Sequence, residues 1–177
     1  MKNKILVAYA SKYGSTQEVA EAIVATLREE GFKVDIQPMK KVRSLEEYTM
    51  IVLGAPLYLG AWHKDARRFL SRHREALMER QISIFALGPF HAPYDEKEWQ
   101  ASQGMLEKDL AEFPGLAPVA VEIFGGKFEP AKLGFTDKLI VSMPASPLHK
   151  MPASDLRDWT AIRAWANKLA AQLQPDR

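Results

Sequence analysis

The chain has 177 residues, 47% of them apolar and 26% charged, with a formal net charge of +2. That length suits a single domain spanning 1–177 with a substantial core, and the charge falls far short of a nucleic-acid binder, so no such partner is expected. With no cysteine, disulfides, thiol catalysis, Cys-ligated zinc and iron–sulfur clusters are excluded. Redox chemistry, if any, must come from a bound organic cofactor.

Met1-Lys2-Asn3-Lys4 leads straight into Ile5–Ala10, an apolar run that reads as a strand covered on both faces rather than as a signal segment. Thr16–Glu30 places Val19, Ala20, Ile23, Val24 and Leu27 on one helical stripe, and Gly31 ends it. Phe32–Gln37 alternates like an edge strand, Ser44–Glu47 is a short capped turn, and Met50–Gly54 is a buried third strand. A helix over His63–Leu77, a fourth strand at Ile82–Leu87, a helix over Glu96–Phe113 and a fifth strand at Val119–Phe124 follow. Asp158–Gln174 is the last helix. No run reaches the ~18 apolar residues of a membrane span.

Strands separated by helices predict a doubly wound, five-stranded parallel sheet in a three-layer α/β/α arrangement. A polar edge second strand fits the order 2-1-3-4-5. Ligands of such sheets sit beyond the strand C-termini, at the switch between the first and third strands. The unusual residues fall there.

Ser11-Lys12-Tyr13-Gly14-Ser15-Thr16 joins the first strand to its helix. Hydroxyls, free N–H groups and the positive end of a helix dipole suit a phosphate, although the same residues also make a plain helix cap. Neither a G-x-G-x-x-G fingerprint nor a Walker G-K-[ST] is present, which favours a mononucleotide cofactor. After the third strand, Gly54 and Ala55 are small enough to admit a flat ring. Pro56-Leu57-Tyr58-Leu59-Gly60-Ala61-Trp62 then supplies apolar and aromatic faces, or else forms a helix-entry loop with Trp62 stapled to the helix. After the fourth strand, Leu87-Gly88-Pro89-Phe90-His91-Ala92-Pro93-Tyr94 offers two aromatic residues in a Gly/Pro-rich loop.

The histidines at 63, 73, 91 and 149 show no metal-ligand spacing, so no metal is expected. His63 and His91 lie next to the proposed ring, within reach of a proton-transfer role, while His73 in Arg72-His73-Arg74 reads as part of a solvated helix face. No catalytic residue can be assigned. The 33 residues from Gly125 to Arg157 exceed an ordinary connection. Within them Phe135, Leu139 and Met143 recur at i, i+4, i+8 among Lys127, Lys132, Lys138 and Lys150. This segment reads as a helix packed back on the domain or at a contact between two copies, or as a lid touching a membrane or an apolar substrate.

These motifs resemble the flavodoxin-like FMN proteins, and within them the subgroup of menaquinone-dependent protoporphyrinogen oxidases. The likeness rests on Ser11–Thr16 as a phosphate loop, Gly54–Gly60 with Trp62-His63 as a flavin loop, Asp158-Trp159 opening the last helix, and the long insertion. It implies FMN, with its phosphate on residues 11–16 and its ring between the loops after strands three and four. It further implies an oxidoreductase passing electrons from a reduced substrate such as protoporphyrinogen IX to a quinone or a reductase. A flavodoxin-type carrier without substrate chemistry is the alternative. A cytoplasmic protein is expected, peripheral to the inner membrane face if residues 127–150 touch lipid. The insertion of that subgroup is basic and aromatic, whereas Gly134–Met143 here is apolar.

Overall fold

The computed structural model describes residues 4–58, 60–91 and 95–174. In chain order it forms β1 (Lys4–Tyr9), α1 (Ser15–Glu29), β2 (Lys33–Pro38), β3 (Met50–Tyr58), β4 (Ala61–Trp62), α2 (Lys64–Arg72) and α3 (Arg74–Met78). There follow β5 (Gln81–Leu87), α4 (Glu96–Ala111), β6 (Ala120–Phe124), β7 (Lys127–Phe128), α5 (Phe135–Ser142), β8 (Ser154–Asp155) and α6 (Trp159–Leu173). The sheet order is β2-β1-β3-β5-β6, all neighbours parallel. With the short β4 set aside, this is the expected 2-1-3-4-5 order, flanked by helices on both faces.

Period-two alternation divides the strand residues between two cores. Leu6, Ala8, Ile51, Leu53, Ile82 and Ile84 face Phe69, Leu70, Leu77 and Leu106 from α2, α3 and α4. Ile5, Val7, Met50, Val52, Phe85 and Leu87 face α1 and α6, whose Ile23, Leu27, Ile162, Trp165 and Leu169 close that side. Because β1, β3, β5 and β6 are parallel and nearly in register, Tyr9 beside Gly54, and Leu87 between Pro56 and Phe124, bring four strand ends to one edge. Every candidate loop leaves from that edge.

α1 closes with Gly31 at φ 90, where Gly31 N–H donates to Arg28 O and Phe32 N–H to Leu27 O, a Schellman closure that only the left-handed glycine makes cheap. The helix expected over 63–77 is broken at His73. That break turns the imidazole inward, 8% exposed and 4.6 Å from the Phe69 ring, so His73 is a core residue and not part of a solvated face. Its burial holds the imidazole below the usual histidine range.

Gly54 also serves the core. A Cβ there would lie 1.9 Å from Phe85 Cζ, so the missing side chain makes room for Phe85 in an edge-on cluster with Phe124 and Trp165, not for a ligand ring. Ala55 is likewise fully buried. Among the described residues no helix is long and apolar enough to cross a membrane, and no group of His, Cys, Asp and Glu could hold a metal ion.

The segment from 125 to 157 has structure of its own. β7 and β8 pair antiparallel, Lys127 with Asp155 and Phe128 with Ser154, so both ends of the excursion are tied together at the sheet edge. Gly125 cannot carry a side chain, because its Cβ would meet Leu156 O at 2.1 Å. α5 does not pack through its apolar stripe. Phe135 is 86% exposed, Leu139 54% and Met143 50%.

Candidate functional site

The loop after β1 is a tight turn into the N-terminus of α1. Gly14 takes φ 90, a conformation that costs a residue with a Cβ about 1–2 kcal/mol. Its N–H donates to Ser11 Oγ at 2.9 Å, which closes the turn. Gly14 O accepts from Glu18 N–H at 3.1 Å and starts α1. The first N–H groups of a helix have no acceptor within it and carry the positive end of its dipole. Thr16 lies here, fully buried, and its Oγ1 has no hydrogen-bond partner among the described residues. A buried hydroxyl without a partner is costly unless something bound supplies one. This is the observation that fits a phosphate, and Thr16 does not act as a side-chain cap of α1.

Ser15 is half-buried, and its carbonyl accepts from Arg157 Nη1 at 3.2 Å. The Arg157 side chain, 3% exposed, also reaches Glu18 at 2.6 Å and grips Asp155 with Nε at 2.8 Å and Nη2 at 2.7 Å. It stacks 4.8 Å from the Trp159 ring centroid. Arg157 thus ties the end of the insertion to the first turn of the phosphate helix. The neighbouring Asp155 is held below the usual carboxylate range by that guanidinium.

Lys12 and Tyr13 point toward the insertion. Lys12 Nζ is 2.5 Å from Asp137, and the Tyr13 hydroxyl donates to the same carboxylate. The Lys12 ammonium also lies 5.5 Å from the Tyr13 ring centroid and 5.2 Å from that of Tyr58. Sequence reasoning did not single out Asp137 or Arg157. Each meets the loop from more than 120 positions away, and neither sits in a periodic pattern.

The loop after β3 is a tight hairpin. β4 folds back so that Leu57 opposes Trp62 and Tyr58 opposes Ala61, with Gly60 at φ 80 in the turn. Leu59 lies outside the described residues. Trp62 is not a ring-facing residue: it is 1% exposed, its indole N–H donates to Ala55 O at 3.0 Å, and its backbone N–H donates to Asp109 at 2.6 Å. Buried, Trp62 anchors the hairpin to the core. Pro56, Leu57 and Ala61 are half-buried, and Tyr58 is 42% exposed. His63 caps α2, its Nδ1 accepting from Asp65 N–H at 3.2 Å. Burial holds it below the usual histidine range, with Lys40, Lys64 and Lys12 adding to the effect against Asp65.

After β5, Leu87, Gly88 and Pro89 are buried. Gly88 N–H donates to Phe124 O at 2.8 Å and Gly126 N–H to Pro89 O at 2.7 Å. Phe90 and His91 are half-buried; Phe90 stacks on Phe128 at 5.5 Å and on His91 at 5.2 Å. His91 Nδ1 is paired with Glu98. Ala92, Pro93 and Tyr94 lie outside the described residues. Among the described residues, half-exposed aromatic groups at this end include Tyr58 on one loop, and Phe90 with His91 on the other.

A strand–loop–helix turn with an unpaired buried hydroxyl at the β1/β3 switch point, and loops bearing aromatic residues after the next two strands, is an arrangement that fits a mononucleotide. The flavodoxin domain family matches residues 6–154. The chain belongs to that family. Flavodoxin membership brings FMN as the cofactor, and Ser11–Thr16, with the free Thr16 hydroxyl, fits its phosphate.

The chain is also similar to protoporphyrinogen IX dehydrogenase [quinone] of Escherichia coli K12, 21% identical over 173 residues covering 94% of each chain. Among solved structures it is similar to oxidised flavodoxin 1 of Bacillus cereus, with TM-score 0.57, 17% identity and 99% of each chain covered. It is similar as well to the Flv1 flavodiiron core of Synechocystis, with TM-score 0.61, 13% identity, and 99% of this chain against 37% of that one. The structural likenesses concern the fold.

Proposed function

We propose that this flavodoxin-family chain is an FMN-dependent oxidoreductase that takes electrons from a reduced, poorly water-soluble substrate of the porphyrinogen class. It passes them to a quinone-type acceptor. One observation carries the reading: α5 meets the loops after β1 and β3 through Asp137 and turns its apolar side outward. Phe135, Leu139, Ile140 and Met143 are all exposed beside the exposed Lys138, while Asp137 faces Tyr58 and the phosphate loop. An apolar, basic-edged surface next to a flavin site suits a large flat hydrophobic donor, a quinone, or the anionic membrane face where both partition. The likeness to the E. coli dehydrogenase covers 94% of each chain and so takes in the 125–157 segment.

FMN would supply the electron-accepting ring. The chain's own residues would hold the phosphate (Ser11, Gly14, Ser15, Thr16), flank the ring (Leu57, Tyr58, Phe90, His91) and shape its surroundings from behind (Pro56, Gly60, Ala61, Leu87, Gly88, Pro89). His91, already paired with Glu98, would be a titratable group near the ring. The expected result is that FMN-loaded protein oxidises protoporphyrinogen IX when a menaquinone analogue is present. Oxidation no faster than with free FMN, beside an active control enzyme, would overturn the substrate reading.

The flavodoxin neighbours favour a second reading, a one-electron carrier. A spectroelectrochemical titration separates the two. Two resolved one-electron steps support the carrier, and a single two-electron bleaching supports the enzyme.

A further inference from the structure

α5 inverts the usual arrangement of a surface helix. Its apolar residues face solvent, and its buried residue is a carboxylate, Asp137, 8% exposed. A helix of this kind is not held down by apolar burial, so the contacts of that carboxylate must hold it. They come from two loops at once: Lys12 Nζ at 2.5 Å and the Tyr13 hydroxyl from the phosphate loop, and the Tyr58 hydroxyl at 3.5 Å from the flavin loop. The N–H of Gly134, just before α5, adds a bond to the Tyr13 oxygen at 3.3 Å. The ends of the excursion are tied by the β7–β8 ribbon and by Ser154 Oγ donating to Phe90 O. Residues 129–153 therefore form a strap that is fixed at its base and fastened at its tip chiefly through the Asp137 carboxylate, with the Gly134 N–H beside it.

We infer that Asp137 is a latch: its pairing with Lys12 and Tyr13 closes the insertion across the cofactor cradle, and the cofactor leaves only when that pairing breaks. The inference rests on the reading that the 11–16 loop and the loop after β3 hold FMN. Asp137 is a positioning residue here, acting on the cofactor through the loop that grips it. The ion pair and the phenol also take up the Lys12 ammonium, so the cradle meets phosphate chiefly with N–H and hydroxyl donors. Lys12 and Tyr13 hold the Asp137 carboxyl below the usual carboxylate range, which keeps it charged at neutral pH.

The test compares wild type, Asp137→Asn and Asp137→Glu, with Lys138→Gln as a control on the exposed side of the same helix. Two quantities are read: the FMN dissociation rate, from recovery of flavin fluorescence on dilution, and the rate of tryptic cleavage after Lys132, Lys138 and Lys150, with and without FMN. Asp137→Asn is expected to speed FMN loss about tenfold, the weight of one charge-assisted contact. It is also expected to speed cleavage after Lys132 and Lys150, with the unfolding midpoint close to wild type because α5 lies outside the core. Asp137→Glu should fall between, and Lys138→Gln should release FMN at the wild-type rate. Wild-type rates of both FMN loss and cleavage in Asp137→Asn would overturn the latch. Faster cleavage with unchanged FMN loss would overturn its hold on the cofactor. If the wild type takes up no FMN, the cofactor reading fails while the cleavage comparison still tests whether Asp137 fastens the strap.

Discussion

Thr16→Val is expected to move two measured quantities in opposite directions. The side chain is fully buried at the start of α1, and its hydroxyl has no partner among the described residues. In the FMN-free chain that oxygen is a liability. A methyl group of nearly the same shape removes an unsatisfied polar atom worth on the order of 1 kcal/mol or more. The FMN-free variant should therefore unfold at a higher urea concentration than wild type. In the loaded chain the same hydroxyl would donate to a phosphate oxygen in a water-poor cradle, and its loss should weaken FMN binding by roughly ten- to a hundredfold. Urea unfolding with and without FMN, together with a flavin-fluorescence titration, measures both. An unchanged FMN affinity would remove Thr16 from the cradle, whatever happens to stability.

Arg157→Met is the second large effect. The guanidinium is 3% exposed and holds Asp155, Glu18 and the carbonyl of Ser15 together. Methionine keeps much of the stem but none of the donors. Breaking a fully buried pair typically costs about 3–5 kcal/mol. Glu18 and Asp155 are 48% and 39% exposed, so water can recover part of their solvation, and a loss of about 2–3 kcal/mol is expected. The consequence for the site is that the first turn of α1 loses its external tie, so FMN affinity should fall as well. Guanidinium unfolding and the same titration check this. A variant with wild-type stability and affinity would show that the Arg157 cluster is surface decoration.

The architecture was legible because buried parallel strands leave a coarse signature. Ile5–Ala10 and Met50–Gly54 are continuous apolar runs, and the stripe in Thr16–Glu30 has a clear helical period. The 11–16 loop stood out as a candidate site for a different reason: hydroxyls and a glycine between a strand and a helix suit an anion as well as a cap. What escaped are single polar residues whose partners are far along the chain. Asp137, Arg157 and the buried Asp109 beneath Trp62 belong to no pattern, since one carboxylate or guanidinium has no period to detect.

Two residues were misread from their chemistry alone. Trp62 looked like a stacking face but fills the core. Gly54 looked like space for a ligand but is space for Phe85. In both cases the position is set by tertiary packing across the sheet, which local spacing does not encode. His73 shows the same limit: two flanking arginines suggested solvent, and a helix break turned the ring inward. For α5 the usual rule fails outright. The i, i+4, i+8 apolar residues are the exposed ones, and this inversion is why the segment draws attention as a contact surface.

Flavin binding by this chain depends on the 11–16 loop acting as its phosphate grip. The most direct test is a paired titration of the cofactor-free protein with FMN and with riboflavin, which differ only by that phosphate. The cradle predicts that FMN binds tighter by on the order of a hundredfold or more, since several charge-assisted hydrogen bonds are lost with riboflavin. Equal affinity for the two flavins, or no binding of either, would contradict it.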